Sequence, residues 1–482
     1  MLDSLGIALT PPCAVDPSIV QKIGARKFSS ATLFKGFPTT AQSVAKYPQT
    51  SISTLGNGLR VATEQIEGGD TATVGVVINA GTRYEDAQNN GVAHFLEHML
   101  FKGTPKRDVK KLETEIENLG ATINAYTSRE STVFYAKVQK ADVPQALEIL
   151  SDMLTNSKID STAVELERGT ILREYQSIEE NITETLFDRL HQTAYRGTPL
   201  ASTILGSPEQ ISKLSRDDII RYQKSHFVGP RMAVVGAGAI EHKQLVGLAE
   251  KLFANVPITA PNNVPAFKAP AQFTGSDILV RDDDMPLAHI AYAFETGGWN
   301  DPDTYTLQVI QQLIGSYNSN MVGGGFSSSP IIQEIADGQL AESLTPFHTL
   351  YSDTGLFGMY MISDAVTQRR LMNCVSEGLI RLSFDLSLDR LEEAKAKAKA
   401  AALQLNGTTA VFEEVGRQIM SHGRRIHPSE ALARIDAVDQ IAVQNCIRRL
   451  FYDQDHALAA IGPIWELPDY NFIRRRSYSF RV

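Results

Sequence analysis

The stretch that most constrains this chain is Gly91-Val-Ala-His94-Phe-Leu-Glu97-His98-Met-Leu-Phe101-Lys-Gly103. Its pattern predicts a helix ending at Gly103. His94 and His98 are four residues apart, one helical turn, so their imidazoles share a face. Two imidazoles at that spacing can grip one metal ion. Glu97 falls beside the same face, where its carboxylate can take a proton from water at the metal. The pentapeptide is the inverted form of the H-E-x-x-H zinc helix. An ordinary amphipathic helix can also carry these residues, so the rest of the chain has to supply the context.

With 482 residues the chain exceeds one ordinary core, and two to four domains are expected. A hydrophobic share of 43% and a charged share of 21% are those of a globular protein. No apolar run approaches bilayer-spanning length; residues 232–240 are among the longest and are strand-sized. The net charge of −9 argues against nucleic acid as the main partner and is compatible with a cationic substrate. Cys13, Cys374 and Cys446 are isolated, which gives neither a disulfide framework nor a thiolate site. A metal would therefore be held by nitrogen and oxygen.

Residues 1–45 stand apart as an N-terminal arm. Lys22, Arg26, Lys27 and Lys35, with Ser29, Ser30 and Thr32, give it the character of a mitochondrial transit segment or a derivative of one. Asp3, Asp16 and the Pro11-Pro12 pair fit that less well, and a plain disordered arm is the alternative.

Beyond the arm, strand and helix patterns alternate. Strands are expected over 60–64, 71–80, 121–126, 131–138 and 231–237. Helices are expected over 109–119, 141–153, 161–180 with continuation towards His191, and 242–253, with two shorter segments inside 207–226. Residues 256–275, rich in proline, alanine and asparagine, form a linker. The pattern then begins again: strand 287–295, helix 303–315, strand 354–363, helix 388–405, strand 456–461. Ala233-Val-Val-Gly236 and Ala459-Ala-Ile-Gly462 lie 226 residues apart, each after a long helix and two shorter ones. The expected fold is α+β, with two similar α/β-sandwich domains, 46–255 and 276–482, each a mixed or antiparallel sheet covered by helices. Setting Gly315 on Gly103 puts Thr306, Val309 and Ile310 opposite His94, Glu97 and His98. One half then carries the metal chemistry, and the metal-free half helps to enclose it. Val234–Glu241 lacks the third glycine of a dinucleotide fingerprint, so nucleotide binding is not expected.

A catalytic zinc usually has a third protein ligand. Glu167 and Glu174, seven apart in Glu165-Leu-Glu167-Arg168-Gly-Thr-Ile-Leu-Arg173-Glu174, share a helix face, and either could reach the metal. The HFLEHMLFKGT helix, with a glutamate helix whose Glu174 lies 76 residues beyond His98, resembles the pitrilysin-type zinc peptidases, in particular their mitochondrial branch. That resemblance implies a zinc endopeptidase with one Zn²⁺ per chain, Glu174 as third ligand, Glu97 as base and Glu167 as a supporting carboxylate. It also implies that Glu184 and Asp188 hold an arginine of the substrate. Phe101 would line the pocket for the residue after the cut, and Asn124-Ala125-Tyr126 would pair with the substrate as an added strand. The implied setting is the mitochondrial matrix or the matrix face of the inner membrane. Implied partners are a catalytically silent α subunit, presequence peptides and other subunits of the cytochrome bc1 complex. A structural core subunit of that complex with little peptidase activity is the alternative.

Overall fold

A computed structural model describes residues 47–261, 270–320 and 324–478. The arm over 1–45, with Cys13, and the middle of the expected linker lie outside them.

The first half contains β1 (Thr50–Thr54), β2 (Arg60–Gln65), β3 (Thr71–Ile78), α1 (Val92–Leu100), α2 (Val109–Asn118), β4 (Thr122–Thr127), β5 (Thr132–Gln139), α3 (Val143–Asn156), α4 (Ser161–Glu180), α5 (Ile182–Ala194), α6 (Pro208–Lys213), α7 (Arg216–His226), β6 (Met232–Gly238) and α8 (His242–Leu252). The second half contains β7 (Ser276–Arg281), β8 (Ala288–Thr296), α9 (Thr304–Ile314), β9 (Tyr317–Asn318), α10 (Pro330–Gly338), β10 (Ser343–Leu350), β11 (Gly355–Ser363), α11 (Gln368–Arg381), α12 (Leu388–Leu403), α13 (Gly407–His422), α14 (Pro428–Asp436), α15 (Gln440–Leu450), β12 (Ala457–Gly462) and α16 (Tyr470–Arg476).

The strands form two six-stranded sheets, ordered β1-β2-β6-β3-β5-β4 and β7-β12-β8-β11-β10-β9. In each, a parallel pair, β2 with β6 or β7 with β12, is followed by antiparallel neighbours, three in the first sheet and four in the second. β6 and β12, the strands that carry the two Gly-terminated tetrapeptides, hold the same place. The repeat expected from the sequence is therefore a repeat of order and direction.

β6 and β12 are buried at every residue. Their continuous apolar runs, Met-Ala-Val-Val-Gly-Ala-Gly and Ala-Leu-Ala-Ala-Ile-Gly, are what a strand needs when helices cover both faces. One face of the first sheet packs on helices of its own half, among them α1, α3, α7 and α8. Its other face is covered by α13 from the second half, whose Val411, Phe412, Val415 and Ile419 meet Ala62, Val77, Val133 and Val235. The exchange is reciprocal: α5 lays Leu186, Leu190 and Ala194 on Ala291, Ala293, Leu356 and Ala459 of the second sheet. α5 and α13 are each the third helix after the matching strand, β5 or β11. Hence each half lends the corresponding helix to the other.

Several boundaries differ from the sequence pattern. α1 stops at Leu100, with Phe101 as its cap, and Gly103 sits two residues further on at φ 99°. The glycine marks the turn beyond the helix rather than the helix end. α4 does not continue to His191. Asn181 leaves helical geometry (φ −85°, ψ 95°) and its side chain accepts the Glu184 N–H, which starts α5 afresh. The pattern also gave no signal for β1 and β7. Both are half-exposed strands in which the alternation of apolar and polar residues is weak.

Candidate metal centre

α1 buries Phe95, Leu96, Met99 and Leu100 in the first-half core, which turns His94, Glu97 and His98 towards the opposite side. The chain enters α1 through Gly91 at φ 93°, where a side chain would collide with the Leu205 carbonyl. No adjacent residue caps the helix. Glu85, buried and six residues upstream of Gly91, does so instead. Its carboxylate accepts the N–H groups of Gly91 (2.9 Å) and Ala93 (2.8 Å) and the Asn90 amide (2.8 Å). Burial pushes the Glu85 carboxyl up to about 7, against the pull of those donors. This anchor had no signal in the sequence, because it lies outside the usual capping spacing.

Nε2 of His94 and Nε2 of His98 lie 3.2 Å and 3.3 Å from one oxygen of Glu174 on α4. The two rings stand edge to face, with centroids 4.6 Å apart. The Glu174 carboxyl is held well below the ordinary carboxylate range by hydrogen bonds from both histidines. Glu167 is not part of this convergence. Its Oε1 accepts from Nδ1 of His98 at 2.9 Å, and Oε2 pairs with Lys102 Nζ at 2.7 Å. When a cation takes the place of the Nε2 proton, the Nδ1–H bond to Glu167 leaves His98 neutral, with its Nε2 lone pair turned to that cation. Burial opposes the charged His98 ring, but hydrogen bonds to Glu174 and Glu167 outweigh it and raise its pKa.

One ligand atom from each of His94, His98 and Glu174 lies within 4.8 Å of the others. Two ring nitrogens and a carboxylate oxygen are all acceptors when the histidines are neutral, and such a group can hold a cation among them. Two nitrogens and one oxygen with one side facing a cavity fit a divalent metal with an open position. Among the described residues the second half offers no such group. Thr306, Val309 and Ile310 on α9 are buried, the latter two within the hydrophobic core of the second half.

Glu97 points to the same place. One of its oxygens accepts from Thr127 Oγ1 at 2.5 Å, and Nδ1 of His94 is 3.9 Å from that oxygen. Thr127 ends β4, and no spacing rule links it to Glu97. A cavity of about 600 Å³ opens over His94, Glu97 and Glu174 and is also lined by Glu179, Glu184 and Asp188. Glu184 is exposed and accepts from Asn181 Nδ2 at 2.9 Å. Asp188 is already paired with Arg129 Nη2 at 2.6 Å. Phe101 packs beside Phe134, ring centroids 6.3 Å apart, against the core of the first half. Asn124, Ala125 and Tyr126 lie on β4, which pairs only with β5 and so has one free edge among the described residues. The Ala125 N–H is held by Asn124 Oδ1 at 2.9 Å.

Residues 60–208 match the family model described as insulinase (peptidase family M16), and residues 213–398 match the peptidase M16 inactive domain. The chain is 46% identical over 434 residues to the mitochondrial-processing peptidase subunit beta of Bos taurus, covering 90% of this chain and 88% of that one. The subunit beta of Neurospora crassa is 44% identical over 430 residues, covering 88% and 90%. A chain of complex III2 from Candida albicans, bound to Inz-5, superposes with a TM-score of 0.80 at 25% identity, over 89% of this chain and 99% of that one. With both family models matched in order and this identity sustained along nine-tenths of its length, the chain belongs to the M16 family of metallopeptidases.

Proposed function

We propose that this chain is the metal-bearing subunit of a mitochondrial processing peptidase, cutting presequences from precursor proteins as a zinc endopeptidase. His94, His98 and Glu174 would hold one Zn²⁺. When bound, Zn²⁺ supplies Lewis acidity, which acidifies water and polarises a carbonyl. Glu97 takes the proton of the attacking water and delivers it to the leaving amine. Thr127 holds one Glu97 oxygen and leaves the other for that transfer. Glu167 keeps the Nδ1 proton of His98 in place, so that Nε2 stays a ligand.

The free edge of β4 takes the peptide as an added strand, with main-chain hydrogen bonds supplying affinity that tolerates varied sequence. The peptide displaces Asn124 Oδ1 from the Ala125 N–H. An arginine of the presequence lies against Glu184 and Asp188; Asp188 is steadied by Arg129, and Glu179 adds charge in the same cavity. The partner is a catalytically silent α subunit, and the site of action is the matrix. The observation that carries the reading is the meeting of both Nε2 atoms on one Glu174 oxygen beside Glu97.

Glu97→Gln, assayed with the partner subunit, is expected to lower kcat about 100-fold or more while zinc content is retained. Presequence cleavage at the parental rate would remove Glu97 from the role of base. A second reading, residence as a core subunit of complex III, is favoured by the likeness to the Candida albicans chain. Cytochromes that co-purify with the chain would support it, and one polypeptide can serve both roles.

A further inference from the structure

β4 presents two faces. Ile123 and Ala125 pack towards the core of α1, and Thr127 reaches Glu97. Asn124 and Tyr126 point the other way, to the side that α13 covers; the Asn124 amide lies 3.4 Å from the Tyr135 hydroxyl, and Tyr135 packs on Phe412 of α13. A strand laid along β4 has the same alternation, so every second side chain of a bound peptide faces away from the metal group.

What they would face is a second cavity, of about 590 Å³, between the two halves. Tyr126 borders both cavities. Its walls are largely apolar, including Val133, Ile204, Leu405 and Met420. Glu413 of α13 lies on this wall. Its neighbours are spoken for: Glu414 binds Arg417, Arg425 and Gln418, and Arg417 stacks on Trp299 at 4.3 Å. Glu413 itself, half-buried, has no hydrogen bond or ion pair among the described residues. Burial raises its carboxyl above the ordinary range, and after burial its charge is the next contributor to lifting the Tyr126 phenol to about 12. Arg129 and Arg417 also line this cavity, but they are paired with Asp188 and Glu414, so a half-buried carboxylate without an ion-pair partner, beside apolar side chains, suits a side chain with an aliphatic stem and a positive end.

We propose that Glu413 is a specificity-determining residue that receives a lysine or arginine side chain of the bound peptide on the face of β4 opposite the metal group. This rests on the strand-addition reading given above. It assigns to the metal-free half a direct part in reading the substrate, through the helix it lends to the first sheet.

The test uses the full chain with its partner subunit and a set of neutral extended peptides. A single arginine, or norleucine as control, is stepped one residue at a time along each. Affinity is measured by fluorescence anisotropy on the Glu97→Gln background. The arginine-to-norleucine affinity ratio is expected to fall about tenfold on adding Glu413→Gln, and only at alternate positions. Glu413→Lys should favour glutamate at those same positions. Ratios unchanged at every position overturn the subsite, as does a fall uniform along the peptide, which long-range charge alone would produce. Cleavage of the peptides by the unaltered chain is scored separately. If the unaltered chain neither binds nor cleaves them, both this proposal and the peptidase reading it rests on are overturned.

Discussion

His98 is gripped from both sides, by Glu167 at Nδ1 and by Glu174 at Nε2. Both carboxylates come from one face of α4, two turns apart, which is about 10 Å along the helix. α4 crosses α1 so that only one of them meets both Nε2 atoms. Helical spacing left that choice open, because equal phase on one helix says nothing about where the second helix crosses; the family resemblance implied Glu174, and it is Glu174 that meets both rings. Removing the Nδ1 acceptor should loosen the ring without unfolding the site, since Lys102 is partly exposed and can return to water. Glu167→Ala is therefore expected to weaken metal binding about 10- to 100-fold, read by competition with a chelator. Unchanged affinity would reduce Glu167 to a packing role. The residues with no sequence signal are Glu85, Thr127 and Arg129, each of which acts across loops on a partner that is not its helical neighbour.

Strands were legible as continuous apolar runs, as in β3 and β6, and helices by length and composition, as in α4 and the Ala/Lys-rich α12. Legibility failed where tertiary contact sets the limits: Asn181 divides α4 from α5, and only its side-chain cap marks the break. The exchange of α5 and α13 depends on close approach. A Cβ at Gly416 would lie 2.6 Å from Val77 Cγ2 and 3.7 Å from Val235 Cγ2, so α13 rests on β3 and β6 through a glycine. Gly416→Ala gains helix propensity but overpacks that contact. The expected net result is a loss of about 1–3 kcal/mol in urea unfolding. A gain in stability would show that α13 can move away from the sheet at little cost.

At the scale of the molecule, the two halves interlock. Arg83, 5% exposed at its side chain, pairs with Glu130 of its own half and with Asp353 in the β10–β11 turn of the other. Glu130 accepts from the Ser352 N–H and hydroxyl of that turn. Tyr351 is hydrogen-bonded to His191 of α5 at 2.7 Å. Elsewhere in the second half, burial and then the nearby Arg474 lower the His456 pKa to about 3, and the ring lies stacked on Tyr470. An unfolded histidine takes up its proton near 6.5, so below that pH the unfolded state binds more protons than the folded one. Stability from this residue is complete above pH 6.5 and falls as the pH drops towards 3. Between pH 7.5 and pH 5 the parent is expected to lose about 2 kcal/mol more than His456→Phe in chemical denaturation. Equal losses would mean that the buried ring is protonated in the folded state. By itself the sequence determined the His-Glu-His helix and the repeat, because helical spacing and the strand–glycine pattern are local and periodic, while the family came from the resemblance of the motifs taken together. Only the tertiary structure decided how Glu174 meets both histidines while Glu167 takes the other side of His98, that Arg129 already occupies Asp188, and that α13 brings Glu413 beside Tyr126. Those are distances between residues far apart in the chain, fixed by the crossing of helices and the exchange between halves, and no period in a sequence encodes them.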